Sequence, residues 1–229
     1  MVSIHGAHLR LQATEVAYGA RPHGGAAPPC FAYVADLTDD IATAKAVLRV
    51  MMSEARATVT PEERERAAGI VVDIWRYAPL AEPPSTVSAF WPMRDEFDVR
   101  PLLMHLFAAG HELALPIVTA RREPLVFRAW RPSDPLEAGP FGTLQPHRQR
   151  AEVEPDVLIV PLLAVDRDGY RLGYGGGYYD RTLAALRARR AVQAIGIAFE
   201  AQRLDEIPRS PRDERLDWLL TEAGAFAFV

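Results

Sequence analysis

Residues 157–165 read Val-Leu-Ile-Val-Pro-Leu-Leu-Ala-Val, nine apolar positions broken only by Pro161. Crossing a bilayer as a helix takes about 20 apolar residues, so this run cannot span one. Val157–Val160 show no polar alternation and are rich in branched aliphatic side chains, the pattern of a strand buried on both faces. Such strands belong to parallel sheets with helices above and below. The flanking pattern agrees. Thr38-Asp39-Asp40 reads as a helix start, followed by Ile41, Ala44, Val47, Leu48, Met51 and Met52 at helical spacing. Thr60-Pro61-Glu62-Glu63 opens a second helix with a capping box, running toward Tyr77 and ended by Pro79.

Strands are expected at Val87–Trp91, Leu113–Val118, Leu125–Trp130, Gln193–Phe199 and Arg215–Thr221, with helices over Val99–Ala109 and Gly177–Arg189. Asp134–Pro155, rich in Pro and Gly, reads as a long irregular loop. Alternating strands and helices imply one α/β domain, a mostly parallel sheet with helices on both faces. That domain is expected over residues 37–229, preceded by a loosely ordered arm at 1–36. Within the arm, His5 and His8 have no third metal-ligand candidate nearby and read as a solvated pair.

Composition narrows the function classes. The 49% apolar and 24% charged content is ordinary for a globular chain, and a net charge of −4 argues against a dedicated nucleic-acid partner. No apolar segment suggests a membrane partner. One cysteine, Cys30, cannot form an intramolecular disulfide, which fits a reducing, cytoplasmic setting.

The chemistry concentrates in Arg171-Leu172-Gly173-Tyr174-Gly175-Gly176-Gly177-Tyr178-Tyr179-Asp180. Glycines between a buried strand and a helix let the backbone take positive φ and approach a ligand closely. The helix that follows offers unpaired amides and the positive end of its dipole, a seat for phosphate. Arg171 adds a forked cation, and Asp180 in the first turn could hold Mg²⁺ against phosphates. The spacing matches neither G-x-G-x-x-G nor a Walker A loop. A tight turn without a ligand is the competing reading. Lys45 and Arg49, four apart on one helical face, are either a solvated basic stripe or a pair for a triphosphate.

In order and spacing, several blocks resemble the 5-formyltetrahydrofolate cyclo-ligase (methenyltetrahydrofolate synthetase) family. They are Pro155–Pro161, Asp166–Tyr170 and Arg171–Asp180, with Phe90-Trp91-Pro92-Met93-Arg94-Asp95-Glu96-Phe97-Asp98, Phe199–Arg203 and Arg212–Asp217. The resemblance covers most of the chain from about Lys45. It implies a Rossmann-like three-layer fold, ATP as co-substrate, Mg²⁺, and closure of 5-formyltetrahydrofolate to 5,10-methenyltetrahydrofolate. ATP contacts would come from Lys45, Arg49, Arg171, Gly173, Tyr174, Gly175, Gly176, Gly177 and Tyr179. Folate contacts would come from Phe90, Trp91, Glu96, Phe141 and Tyr178. Arg171 and Tyr178 would act at the reacting groups, and Asp180 and Asp213 would meet the metal.

Without the resemblance, Glu96 and Asp213 read as surface acids, and Phe90 and Trp91 as core. The implied partners are small molecules, with the protein a monomer or weak dimer. Two other classes fit the same residues: a folate- or nucleotide-binding relative without turnover, and an isomerase or transferase on a related α/β scaffold.

Overall fold

In a computed structural model, residues 40–78 and 80–228 are described. The expected arm, His5, His8, Cys30 and the helix stop at Pro79 lie outside them. Among the described residues no helix is long and apolar enough to cross a membrane.

The chain enters through α1 (Ile41–Ala57), capped by Asp40, whose carboxylate accepts from the amides of Ala42 at 3.1 Å and Thr43 at 3.2 Å. Helix α2 (Pro61–Tyr77) begins with the expected reciprocal cap: the Thr60 hydroxyl accepts from the Glu63 amide and Glu63 accepts from the Thr60 amide. Strand β1 (Thr86–Ser88), helix α3 (Arg100–Ala108) and strand β2 (Glu112–Ile117) form the first parallel crossover. Then come β3 (Val126–Trp130), the ribbon of β4 (Leu136–Ala138) with β5 (Leu144–Pro146), and β6 (Glu152–Val153). Strand β7 (Val157–Pro161) leads to a second ribbon, β8 (Ala164–Val165) with β9 (Arg171–Leu172). Helix α4 (Tyr178–Arg187), β10 (Gln193–Ile197), β11 (Trp218–Thr221) and β12 (Gly224–Ala227) complete the chain.

The central sheet has eight strands in the order β12-β11-β10-β7-β1-β2-β3-β6. Strands β2, β1, β7, β10 and β11 run parallel, and the antiparallel members lie outside them. Successive side chains of β7 point to opposite faces. Val157 and Ile159 join the core under α2 and α3, with Val71, Trp75, Leu103 and Leu106. Leu158 and Val160 join the opposite core under α4, with Leu183 and Leu186. Helix α1 stands apart from both and packs Leu48 and Met52 onto Leu163, Ala164, Leu172 and Ile207.

From β1 the chain moves outward to β2 through α3. From β7 it moves the other way to β10 through α4. The adjacent strands β1 and β7 are therefore the point where the winding direction reverses, and in an open α/β sheet the crevice that takes a ligand lies beyond the carboxyl ends of such a pair.

The sequence expectation fails in three places. Asp134–Pro155 is not an irregular loop: it holds β4, β5 and β6, the ribbon being closed by the Gly139 amide donating to Thr143 O at 2.8 Å. The β8–β9 ribbon and β12 were not anticipated either, because strands of two to four residues carry too little alternation to register as a period. The strand expected at Val87–Trp91 stops at Ser88, although the Ala89 amide still donates to Ala114 O at 3.1 Å, and the chain turns at Arg94 and Asp95, just ahead of Glu96.

Candidate active site

Two segments meet in the crevice: residues 89–98, which follow β1, and residues 162–177, which follow β7. Helix α1 lies against both. At their junction the Tyr174 hydroxyl donates to Glu96 Oε1 at 2.5 Å, and the Met93 amide donates to Glu96 Oε2 at 2.9 Å. Arg56, on α1, donates through Nη1 to the Tyr174 hydroxyl at 2.7 Å. Its Nε and Nη2 grip the Asp95 carboxylate at 3.1 and 2.9 Å, the fork-on-fork geometry that a guanidinium favours. Arg64 donates to the carbonyls of Asp95, Arg56 and Val59 and so ties α2 to the same knot.

Burial sets the electrostatics. Glu96 is 7% exposed, and loss of hydration raises its pKa above the ordinary carboxylate value, although the Tyr174 and Met93 bonds pull the other way. Burial would also raise Asp95, but the Arg56 guanidinium outweighs it and holds that carboxyl below its usual range. The two neighbours are thus pushed apart by environment, one kept ionised by a cation and the other made costly to ionise.

The glycine segment begins where β9 ends. Gly175 has φ +93° and Gly177 φ +63°, left-handed conformations that favour glycine. At Gly175 an added Cβ would also sit 3.4 Å from the Arg49 guanidinium carbon. Arg49 Nε donates to Gly173 O at 2.8 Å. Helix α4 starts at Tyr178 with no side-chain cap, so its leading amides, which have no partner within a helix, face the segment.

Four cations surround this turn: Lys45, Arg49, Arg171 and Arg181, the last donating through Nη2 to Gly176 O at 2.7 Å. Lys45 is paired with Asp213, which also accepts from Ser210 N at 2.7 Å and Ser210 Oγ at 3.0 Å. Burial opposes ionisation of Asp213, but these bonds prevail and lower its pKa. Arg171, 7% exposed, pairs with Asp180 at 3.1 Å and donates to Glu214 O at 3.2 Å. Asp180 in turn accepts from the Glu214 amide at 3.1 Å, so Asp180 and the segment holding Asp213 lie side by side. Cations and amides around a turn ahead of a helix suit a polyphosphate. A buried carboxylate one step away suits a ring with adjacent N–H donors.

The model of the 5-formyltetrahydrofolate cyclo-ligase family matches residues 41–222, which include every residue of this crevice. The chain belongs to that family. It is 31% identical over 177 residues to the 5-formyltetrahydrofolate cyclo-ligase of Escherichia coli (strain K12), covering 75% of this chain and 96% of the relative. With the enzyme of that name from Mycolicibacterium smegmatis it shares 39% identity over 146 residues, 59% of this chain and 73% of the relative. Among solved structures, the 5,10-methenyltetrahydrofolate synthetase of Aquifex aeolicus superposes with a TM-score of 0.69 at 30% identity, covering 80% of this chain and 92% of that one.

Within this cyclo-ligase fold the residues singled out from the sequence divide into three groups. Lys45, Arg49, Arg171, Gly173, Tyr174, Gly175, Gly176, Gly177, Asp180 and Asp213 share the glycine turn or its immediate cations, and Glu96 joins them through Tyr174. Tyr178 stands at the edge of this group, its ring 5.2 Å from the Arg181 guanidinium and 6.3 Å from the Phe141 ring. Phe141 is 64% exposed with φ +62°. Tyr179 has the Arg171 guanidinium 5.9 Å from its ring, and its buried hydroxyl has no hydrogen-bond partner among the described residues. Burial, then the nearby Glu96, raises its pKa.

Phe90 and Trp91 fall outside the group. Phe90 is 5% exposed and packs in the core beneath α2 and α3. Trp91 packs edge-on against Trp130, with ring centroids 5.6 Å apart, and lies 5.9 Å from the Arg100 guanidinium. Asp180 and Asp213 are each paired with a cation. Among the described residues no three His, Cys, Asp or Glu side chains converge as a metal cage.

Sequence reasoning passed over Arg56, Asp95, Arg64 and Glu214. A signal for Arg56 was present. At about 100° per residue, Lys45, Arg49 and Arg56 fall within roughly 40° of arc on one helix, so the basic stripe continues past Arg49.

Proposed function

We propose that this protein closes 5-formyltetrahydrofolate to 5,10-methenyltetrahydrofolate, using ATP and releasing ADP and phosphate. Family membership supports the reaction. The observation that carries the residue assignment is the junction of Glu96 with Tyr174, which brings the acid after β1 against the glycine turn after β7. Both reactants must meet for a phosphoryl group to pass between them, and a crevice where the winding reverses is where an α/β sheet permits it.

The chemical need for ATP is plain. If N10 of the folate attacked the formyl carbon directly, the oxygen would leave as hydroxide, a poor leaving group. Transfer of the γ-phosphoryl group to the formyl oxygen, with ADP released, lets that oxygen leave as inorganic phosphate after N10 has added. Little covalent work falls to the protein, which aligns the reactants and neutralises charge. Lys45, Arg49 and Arg171 supply cations around the turn. The amides from Gly173 to Gly177 and the start of α4 supply hydrogen bonds to phosphate oxygens. Glu96 accepts from paired N–H donors on the pterin edge, and Tyr178 lies beside the reacting formyl group.

The donor set fits Mg²⁺ in a particular way. Such an ion commonly takes one or two carboxylates from the protein and the rest of its shell from phosphates and water. Asp180 and Asp213 lie side by side next to the turn and could serve, whereas an all-protein cage is absent among the described residues. When bound, the ion would neutralise charge on the phosphates. Asp180 and Asp213 would then share their oxygens between that ion and the cations that hold them in place.

The methenyl product absorbs where the formyl substrate does not, so the test is spectrophotometric. Product is expected only with ATP and Mg²⁺ both present. Tight binding of either reactant without product, or product formed without ATP, contradicts the proposal.

A further inference from the structure

Both oxygens of Glu96 are already engaged. Oε2 accepts from the Met93 amide at 2.9 Å, and Oε1 accepts from the Tyr174 hydroxyl at 2.5 Å. Glu96 is 7% exposed, whereas Tyr174 is 51% exposed. The tyrosine thus stands half in solvent, with the Arg56 guanidinium 5.7 Å from its ring centroid and its hydroxyl turned inward. It lies in 173–177, a segment with neither helix nor strand, between Gly173 and two left-handed glycines, Gly175 and Gly177. Backbone of that kind moves at low conformational cost. Helix α1 holds the segment at two points: Arg49 at Gly173 O, 2.8 Å, and Arg56 at the Tyr174 hydroxyl, 2.7 Å.

We propose that Tyr174 is an internal competitor for Glu96, its phenol hydroxyl taking the acceptor that a pterin's N–H donors need, so that folate binds as the glycine segment carries the hydroxyl away. The chemistry is self-consistent. The phenol is a single O–H donor polarised by Arg56, and it offers the carboxylate one charge-assisted bond. A pterin edge offers two adjacent donors and outcompetes it while still meeting an acceptor-only group. The tyrosine also keeps a buried carboxylate satisfied, which would otherwise be expensive.

This inference rests on the reading of Glu96 as the folate acid, and the experiment separates the two. The dissociation constant of 5-formyltetrahydrofolate is measured by titration calorimetry on the full chain and on the variants Tyr174→Phe and Glu96→Gln. Phenylalanine keeps the ring and removes the competing donor, together with the acceptor that Arg56 Nη1 meets at 2.7 Å. Because hydrogen bonds to charged groups are among the stronger ones, Tyr174→Phe is expected to bind folate about tenfold more tightly. Glu96→Gln is expected to bind about tenfold or more weakly. If Glu96→Gln weakens binding while Tyr174→Phe leaves it unchanged or weaker, the competitor role is overturned and the Glu96 reading stands. If Glu96→Gln binds like the parent chain, the Glu96 reading falls, and the competitor role falls with it.

Discussion

Arg56 offers the sharpest energetic test of the crevice. Its side chain is 4% exposed and its bonds go to Asp95 and Tyr174, so Arg56→Met removes a charge and three donors while keeping most of the volume. Removing one member of a buried ion pair costs about 3–5 kcal/mol, most of it from leaving the other charge uncompensated. Asp95 retains 23% exposure, so water reaches the orphaned carboxylate and the expected loss sits at the lower end, about 3 kcal/mol. For a domain of this size that corresponds to a fall in Tm of roughly 6–12 °C. Urea unfolding at pH 7 measures it through the midpoint at constant slope. Asp95→Asn alone and the double variant complete a cycle, in which a coupling of about 1.5 kcal/mol or more is expected for groups in direct contact. A loss below about 1 kcal/mol for Arg56→Met, or additive effects in the cycle, would refute the view that this pair anchors the loop carrying Glu96.

Two further outcomes are expected. Lys45→Ala should raise the KM for ATP about tenfold or more while folate affinity changes little, since charge-assisted contacts of this kind carry about 1.5–3 kcal/mol; steady-state kinetics with each reactant varied would show it, and equal losses for both would contradict the assignment. Glu96 has a folded-state pKa above its unfolded one, so its contribution to stability is fully present below about pH 4.5 and is lost as pH rises through the raised value. The stability of Glu96→Gln, which never ionises, should therefore shift in the variant's favour relative to the parent between pH 4 and pH 7, read from urea midpoints at both pH values, on top of a pH-independent cost because glutamine offers one acceptor oxygen where Glu96 uses two; a difference that does not vary with pH would contradict it.

How far the sequence reveals this site depends on the reach of each interaction. Val157–Val160, the Thr60–Glu63 cap and the glycine turn are local patterns, and the structure places all three as their neighbours in the chain require. The bonds that make the crevice are not local. Tyr174 lies 78 residues from Glu96, Arg56 lies 118 from Tyr174, and Lys45 lies 168 from Asp213. No spacing rule spans such separations; only the order of the strands does. Family resemblance supplied Lys45, Glu96 and Asp213 as a set. It did not supply Arg56 or the occupation of Glu96 by Tyr174, which emerge from the packing of α1 across the loops. Phe90 shows the limit from the other side: an aromatic beside a strand belongs equally to core or site on sequence grounds, and its burial among the side chains under α2 and α3 is a tertiary fact.

The most direct measurement is a crystal structure with a non-hydrolysable ATP analogue and Mg²⁺. The account predicts triphosphate density against the amides of Gly173–Gly177, with Lys45, Arg49 and Arg171 turned toward it. Nucleotide bound elsewhere, with Lys45 still on Asp213 and Arg49 still on Gly173 O, would contradict it.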